Sequence, residues 1–144
     1  MSTDRRADVT WKGSLIEGSG TITKTTSGAI GEQAVSWAAR SEDATEGKTS
    51  PEELIAAAHA SCFSMALSSG LAKAGSPADE LNTSATVTFQ PGEGITKIAL
   101  TVEGSVPGID DAAFQEAAKS AKENCPVSKA LAAVPEITLD ARLR

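Results

Sequence analysis

Apolar side chains recur along this chain in two different periods. In residues 82–90, NTSATVTFQ, they alternate strictly, with Ala85, Val87 and Phe89 on one face, which is the period-two signature of a half-buried strand. Residues 94–106 carry Ile95, Ile98, Leu100 and Val102 and follow across Pro91-Gly92, so the two runs are expected to fold back as a hairpin. Weaker alternation in residues 8–14 and 19–26, with Glu17, Gly18 and Ser19 between them, predicts a strand pair near the N-terminus. After the Gly-rich turn of residues 28–36, a third short strand is expected over residues 34–39, around Trp37 and ending at Arg40. The final run, residues 135–143, alternates again through Ile137, Leu139, Ala141 and Leu143.

Between the strand groups the pattern changes to that of helices. Residues 41–49, SEDATEGKT, are short of hydrophobes and read as a loop, so that Arg40 is expected to approach the following helix from a mobile segment. The stretch from Ser50 to Gly75, SPEELIAAAHASCFSMALSSGLAKAG, opens with a complete start signal: Ser50 as N-cap, Pro51 at the first helical position and Glu53 three residues after the cap to close a capping box. Glu53 is thereby occupied, and Glu52 is free to project from the first turn. From Leu54 to Met65 nearly every side chain is small or apolar, with His59 the only ionisable group besides Cys62. A helix apolar all round is expected to be buried. Gly75 and Pro77 supply the stop. Asp110 or Asp111 caps a second helix running to about Lys122, and Asn124-Cys125-Pro126 begins a third, short one. Strands first, helices between and a last strand returning describe an α+β domain with an antiparallel sheet.

Composition limits the function classes. A chain of 144 residues, 40% hydrophobic and 22% charged, matches one ordinary domain spanning residues 1–144. A net charge of -6 offers no basic footprint for nucleic acid or an anionic membrane surface. The N-terminal MSTDRRADVT is neither a secretory signal nor a membrane span, so the expected location is cytoplasmic. In that compartment the two cysteines are more readily reactive, metal-binding or simply buried than a structural staple. Aromatic content of 3% leaves the core to Ala, Val, Leu and Ile, and a core shared between two chains would help fill it.

The candidate chemistry lies at Cys62 and Cys125. Taken alone, a cysteine on an apolar helix is an inert small hydrophobe. Cys125 differs, because at a helix start unsatisfied N–H groups and the dipole favour a thiolate. The pair is compatible with a redox couple, with half of a metal site, or with neither. A redox couple would need a cation near Cys62, and Arg40 is long enough and always charged. Glu52 could hold its guanidinium by a bidentate pair. Along an ideal helix Glu52 and Cys62 stand about 15 Å apart and about 80° around the axis, so only a long side chain bridges them. His59, one turn before Cys62, could complete a Cys2His zinc site with Cys125 and an open position, but no fourth ligand and no carboxylate behind the ligands suggests itself, and an interior histidine with its hydrogen bonds satisfied is the plainer reading.

Four segments carry a family resemblance: PEELIAAAHASCFSMAL (residues 51–67), GITKIALTVEGSVPGID (94–110), NCPVSKAL (124–131) and PEITLDARL (135–143). Together they resemble the OsmC/Ohr family, the osmotically induced protein C and organic hydroperoxide resistance proteins, and are closer in wording to the OsmC branch. The resemblance implies an antiparallel α+β fold in an intertwined homodimer with two long central helices, and reduction of organic hydroperoxides by two cysteines without flavin, haem or metal. Carried over residue by residue, it makes Cys62 the peroxidatic cysteine, Cys125 the resolving cysteine, Arg40 the activating arginine and Glu52 the glutamate that orients it. Cys62 would become a sulfenic acid, condense with Cys125 to a disulfide and be recycled by a dithiol or a lipoylated protein. Arg40 would lower the thiolate pKa and counter charge as the O–O bond breaks. Phe63, Val127, Leu131 and Trp37 are candidates for an apolar pocket. The rival that keeps the cysteines is a non-catalytic thiol sensor or stress protein, which would consume peroxide once and stop.

Overall fold

The computed structural model describes Met1–Arg144, and its contacts separate into two compact units, Met1–Leu54 and Ile55–Arg144. In the first unit, β1 (Ala7–Lys12), β2 (Ser19–Thr25) and β3 (Gln33–Val35) form an antiparallel sheet in that order. The expected N-terminal strand pair is β1 and β2. Gly20 stands opposite Trp11 in the register, and a Cβ there would lie 2.6 Å from a Val35 methyl and 2.7 Å from the Trp11 ring. Any larger residue would push one of them aside.

The third strand is shorter than its pattern suggested. It stops at Val35, and Trp37–Ser41 is a short helix, α1. Ser36 is the cause: in extended conformation its hydroxyl accepts the Ala39 N–H at 3.1 Å, which caps a run of good helix formers. Arg40 therefore projects from a helix and does not enter from a loose approach. The loop of residues 42–48 follows, and the Thr49 N–H donates to the Ala34 carbonyl at 2.9 Å.

Helix α2 (Pro51–Lys73) starts where its cap predicted. The Ser50 hydroxyl accepts the Glu53 N–H at 3.2 Å, but the Glu53 carboxylate takes the Thr49 hydroxyl at 2.8 Å and not the Ser50 N–H, so only half of the capping box forms. Glu52, expected to project freely, is buried. At the far end Gly75 has φ +85° and the Ser76 N–H reaches the Leu71 carbonyl at 2.9 Å, the left-handed stop that glycine permits.

In the second unit β4 (Glu80–Gln90) and β5 (Gly94–Ser105) are the expected hairpin. The last strand, β6 (Glu136–Leu143), pairs with β5 in parallel, from Lys97↔Glu136 to Gly104↔Leu143. The wholly antiparallel sheet is thus corrected to a mixed one within an α+β chain. From the end of β5 the chain crosses back through α3 (Asp111–Asn124) and α4 (Pro126–Ala130), so β6 begins where β5 began. Phe63, Leu67 and Leu71, one per turn of α2, meet Leu100 and Val102 of β5 and Phe114 of α3 in the core. Phe114 fits because Gly104 faces it, where a Cβ would come within 2.6 Å of the ring.

Burial of α2 is one-sided. Ala57, Ala58, Ser61, Met65, Ser68, Ser69 and Ala72 are exposed, Met65 at 71%, and at 100° per residue they fall within an arc of about 120°. The expectation of burial all round therefore fails for the single chain. By length and composition alone α2 passes as a membrane span, with 22% of its most apolar window buried, a test that core helices also pass.

Candidate active site

The four sequence-predicted residues fall into two pairs, one in each unit. In the first, α1 presents Arg40 and the first turn of α2 presents Glu52. The Arg40 Nε–H donates to Glu52 Oε1 at 2.9 Å, with the carboxylate side chain 8% exposed and the guanidinium 33%. The pair is a single hydrogen bond and not the expected bidentate fork, since Glu52 Oε2 is buried with no partner in the chain. The guanidinium also lies 5.9 Å from the centre of the Trp37 ring, close enough for a cation–π contact. Arg40 and Trp37 line a cavity of ≈ 300 Å³ whose other walls include Trp11, Leu15, Ile22 and Leu54. It is an apolar space with a fixed cation at its wall. Of the residues expected to line an apolar pocket, Trp37 lines this one, whereas Phe63 is fully buried in the core and unavailable.

In the second unit, Cys62 on α2 and Cys125 at the start of α4 are brought together. Both are free thiols, Cys62 half-buried and Cys125 fully buried, and each side chain acts on the other's proton. Burial pushes the Cys62 thiol up, the Cys125 sulfur beside it pushes it further, and the Val127 N–H works in the other direction. For Cys125 burial also works upward, yet it is outweighed by the Cys62 thiol, by the N–H groups of Ser128 and Val127 and by the Ser128 hydroxyl, so that this thiol lies below its ordinary value. Cys125 is the N-cap of α4, and its sulfur makes no close capping hydrogen bond of the kind an oxygen would. The N–H groups that an N-cap faces still favour its negative form. Within the pair the surroundings thus push the two thiols in opposite directions, Cys62 up and Cys125 down.

His59 is fully buried, and its Nε2 lies 2.7 Å from the Ser128 hydroxyl. Nδ1 has no partner in the chain, so the satisfied interior histidine of the sequence is satisfied on one side only. Burial lowers its pKa, which keeps it neutral at pH 7. No group of three or more His, Cys, Asp or Glu side chains is placed together as metal ligands. Ser128 was not among the sequence-derived candidates. Its signal was its place three residues after Cys125, where the side chain at the third helical position faces the cap.

The sequence model of OsmC-like proteins matches residues 43–140, more than half of the chain. The chain belongs to the OsmC family. Over its whole length it is 44% identical to Peroxiredoxin OsmC of Escherichia coli K12, across 147 aligned positions covering 100% of this chain and 99% of that protein. Among solved structures it is similar to the organic hydroperoxide resistance protein OhrB of Bacillus subtilis, at 26% identity and a TM-score of 0.59, covering 96% and 98% of the two chains. It is similar also to an organic hydroperoxide resistance protein from Elizabethkingia anophelis, at 23% identity and a TM-score of 0.68 over 100% of both chains, a likeness of fold. For an OsmC-family chain the two cysteines and Glu52 fall inside the matched stretch, and Arg40 falls just before it.

Proposed function

We propose that this OsmC-family chain is a two-cysteine thiol peroxidase that reduces organic hydroperoxides to alcohols and is recycled by a dithiol, such as that of a lipoylated protein. The observation that carries the reading is the pairing of a partly accessible thiol, Cys62, with a buried one, Cys125, in a chain 44% identical to Peroxiredoxin OsmC. The Cys62 thiolate attacks the outer oxygen of R–O–O–H. The O–O bond breaks, the alkoxide leaves and takes a proton, and Cys62 becomes a sulfenic acid. The Cys125 thiolate then attacks the Cys62 sulfur, the S–O bond breaks and hydroxide leaves to become water. A dithiol reduces the resulting disulfide by exchange and is itself oxidised.

The raised Cys62 thiol needs a cation to ionise, and we assign that task to Arg40, held by Glu52 and able to counter charge on the departing oxygen. The apolar walls around Arg40 suit an alkyl or aryl substituent better than hydrogen peroxide. A steady-state assay with cumene or tert-butyl hydroperoxide and excess dithiol tests the whole reading. Turnover far beyond a single equivalent, unaffected by chelator, is expected; consumption that stops after one equivalent would make the chain a thiol sensor. In the same assay Arg40→Ala is expected to be slower, and to recover part of its rate as pH rises and ionises Cys62 without the guanidinium.

The exposed face of α2 suits a second copy of the chain, and we assign the protein a homodimeric state with that face at the dimer core. Its small residues allow close approach of another helix, with Met65 as the one large apolar side chain to bury. Sedimentation is expected to show a particle of twice the 14.7 kDa chain mass down to submicromolar concentration. A folded monomer would remove this assignment.

A further inference from the structure

The Ser128 hydroxyl stands between the His59 ring and Cys125 and has one hydrogen to give. On one side is His59 Nε2 at 2.7 Å; on the other is Cys125, the N-cap of the helix whose third residue is Ser128, and the hydroxyl favours that thiol's negative form. The tautomer of His59 decides the direction. If Ser128 donated to Nε2, the ring proton would sit on Nδ1, a fully buried N–H with no partner in the chain. If instead Nε2 carries the proton and donates to Ser128, Nδ1 is left as a bare lone pair, which is the cheaper group to leave unpaired. The second arrangement frees the Ser128 hydrogen for the sulfur. Its placement follows from the helix start, since Ser128 is the third residue of α4 and faces the N-cap, Cys125.

We propose that His59 and Ser128 are positioning residues for the second thiol: His59 donates to the Ser128 oxygen and so directs the Ser128 hydrogen at Cys125. The proposal rests on the reading of Cys125 as the resolving cysteine. In the resting protein the chain Nε2–H···Oγ–H···Sγ joins the N–H groups of Val127 and Ser128 in favouring the thiolate form of Cys125. When that thiolate attacks the Cys62 sulfenic acid, its electron pair forms the S–S bond, the S–O pair leaves with hydroxide, and hydroxide is protonated to water. The sulfenic sulfur is reduced and Cys125 is oxidised, with no proton retained by His59. The titratable groups acting on Cys125 are Cys62 directly and His59 through Ser128, both from α2, while Glu123 on α3 and Lys129 on α4 are exposed.

The test is a pH titration of thiolate absorbance in the Cys62→Ser background, where Cys125 is the only thiol. Ser128→Ala is expected to move the titration upward by about one pH unit, because one hydrogen bond to a charged sulfur is lost. His59→Leu should move it in the same direction, and His59→Gln, whose amide can donate from near the Nε2 position, should restore it. A Ser128→Ala titration superimposable on its parent overturns the proposal, and so does a shift in Ser128→Ala without one in His59→Leu. Ser128→Ala removes a single oxygen and keeps the test valid if His59→Leu does not fold. Because the titration involves no peroxide, its outcome is separate from that of the peroxidase reading. In the chain with both cysteines, Ser128→Ala should form the disulfide about threefold more slowly, because the smaller thiolate fraction is offset in part by the greater nucleophilicity of a more basic thiolate.

Discussion

Cys62→Ser is expected to reduce hydroperoxide consumption to the buffer background from the first turnover, with no change in mass after peroxide is added. The outcome is not obvious, because two properties of the thiol pair oppose each other. Ionisation favours Cys125 as the attacking sulfur, since its surroundings lower its pKa. Access favours Cys62, since Cys125 is fully buried. The magnitudes decide between them. A lowered pKa multiplies the thiolate fraction by tenfold for each unit at most, and nucleophilicity falls along with pKa. Exposing a fully buried sulfur requires local opening whose free energy rises toward that of global unfolding, about 5–15 kcal/mol, and every ~1.4 kcal/mol costs tenfold. Access therefore wins, and without Cys62 no sulfur meets the substrate. Rapid peroxide consumption by Cys62→Ser, with oxygen gained on Cys125, would reverse the two roles.

What the sequence made legible was what short-range chemistry decides. Ser50, Pro51 and the small-residue run placed α2 to the residue at its start, and strict alternation about Pro91-Gly92 placed the β4–β5 hairpin. Each error involved a competitor further along the chain or across space. The sequence suggests a short strand over residues 34–39, around Trp37, but Ser36 finds the Ala39 N–H and winds the second half into α1. The spacing of Ile137, Leu139 and Ala141 identifies a strand without its direction, which is set by the crossover through α3 and α4. Glu53 was expected to reach back to the Ser50 N–H, yet a hydroxyl one residue earlier, on Thr49, was the better donor. The apolar surface of α2 was read as buried, and one chain covers only half of it.

The candidate site divides along the same line. Cys62, Cys125, Arg40 and Glu52 are candidates by residue chemistry, with their roles drawn from the family resemblance; the structure pairs Arg40 with Glu52 and Cys62 with Cys125. Ser128 was not visible. A serine three residues after a cysteine carries no signal until the cysteine is known to be an N-cap, and its link to His59 spans 69 positions.

Cys125→Ser should fail in a different way from Cys62→Ser. Serine is a preferred N-cap and its oxygen takes the N–H groups of a helix start better than sulfur does, so α4 is expected to form and the variant to fold. Removing Cys125 also removes the neighbour that, after burial, pushes the Cys62 thiol furthest up. The Cys62 pKa then moves down toward its ordinary value, so at neutral pH more of it is thiolate and the first step runs as fast as in the parent or faster. The second step has no thiol to complete it. A single equivalent of hydroperoxide is consumed per chain, after which consumption slows to the rate at which an external thiol attacks the sulfenic acid or excess peroxide over-oxidises it. Intact-mass spectrometry after one equivalent separates the states: a loss of about 2 Da in the parent reports the disulfide, and a gain of about 16 Da in Cys125→Ser reports the sulfenic acid. Sustained turnover by Cys125→Ser at the parental rate would take the Cys62–Cys125 disulfide out of the cycle, and leave the buried thiol with its donors as a device for holding Cys62 protonated until substrate arrives.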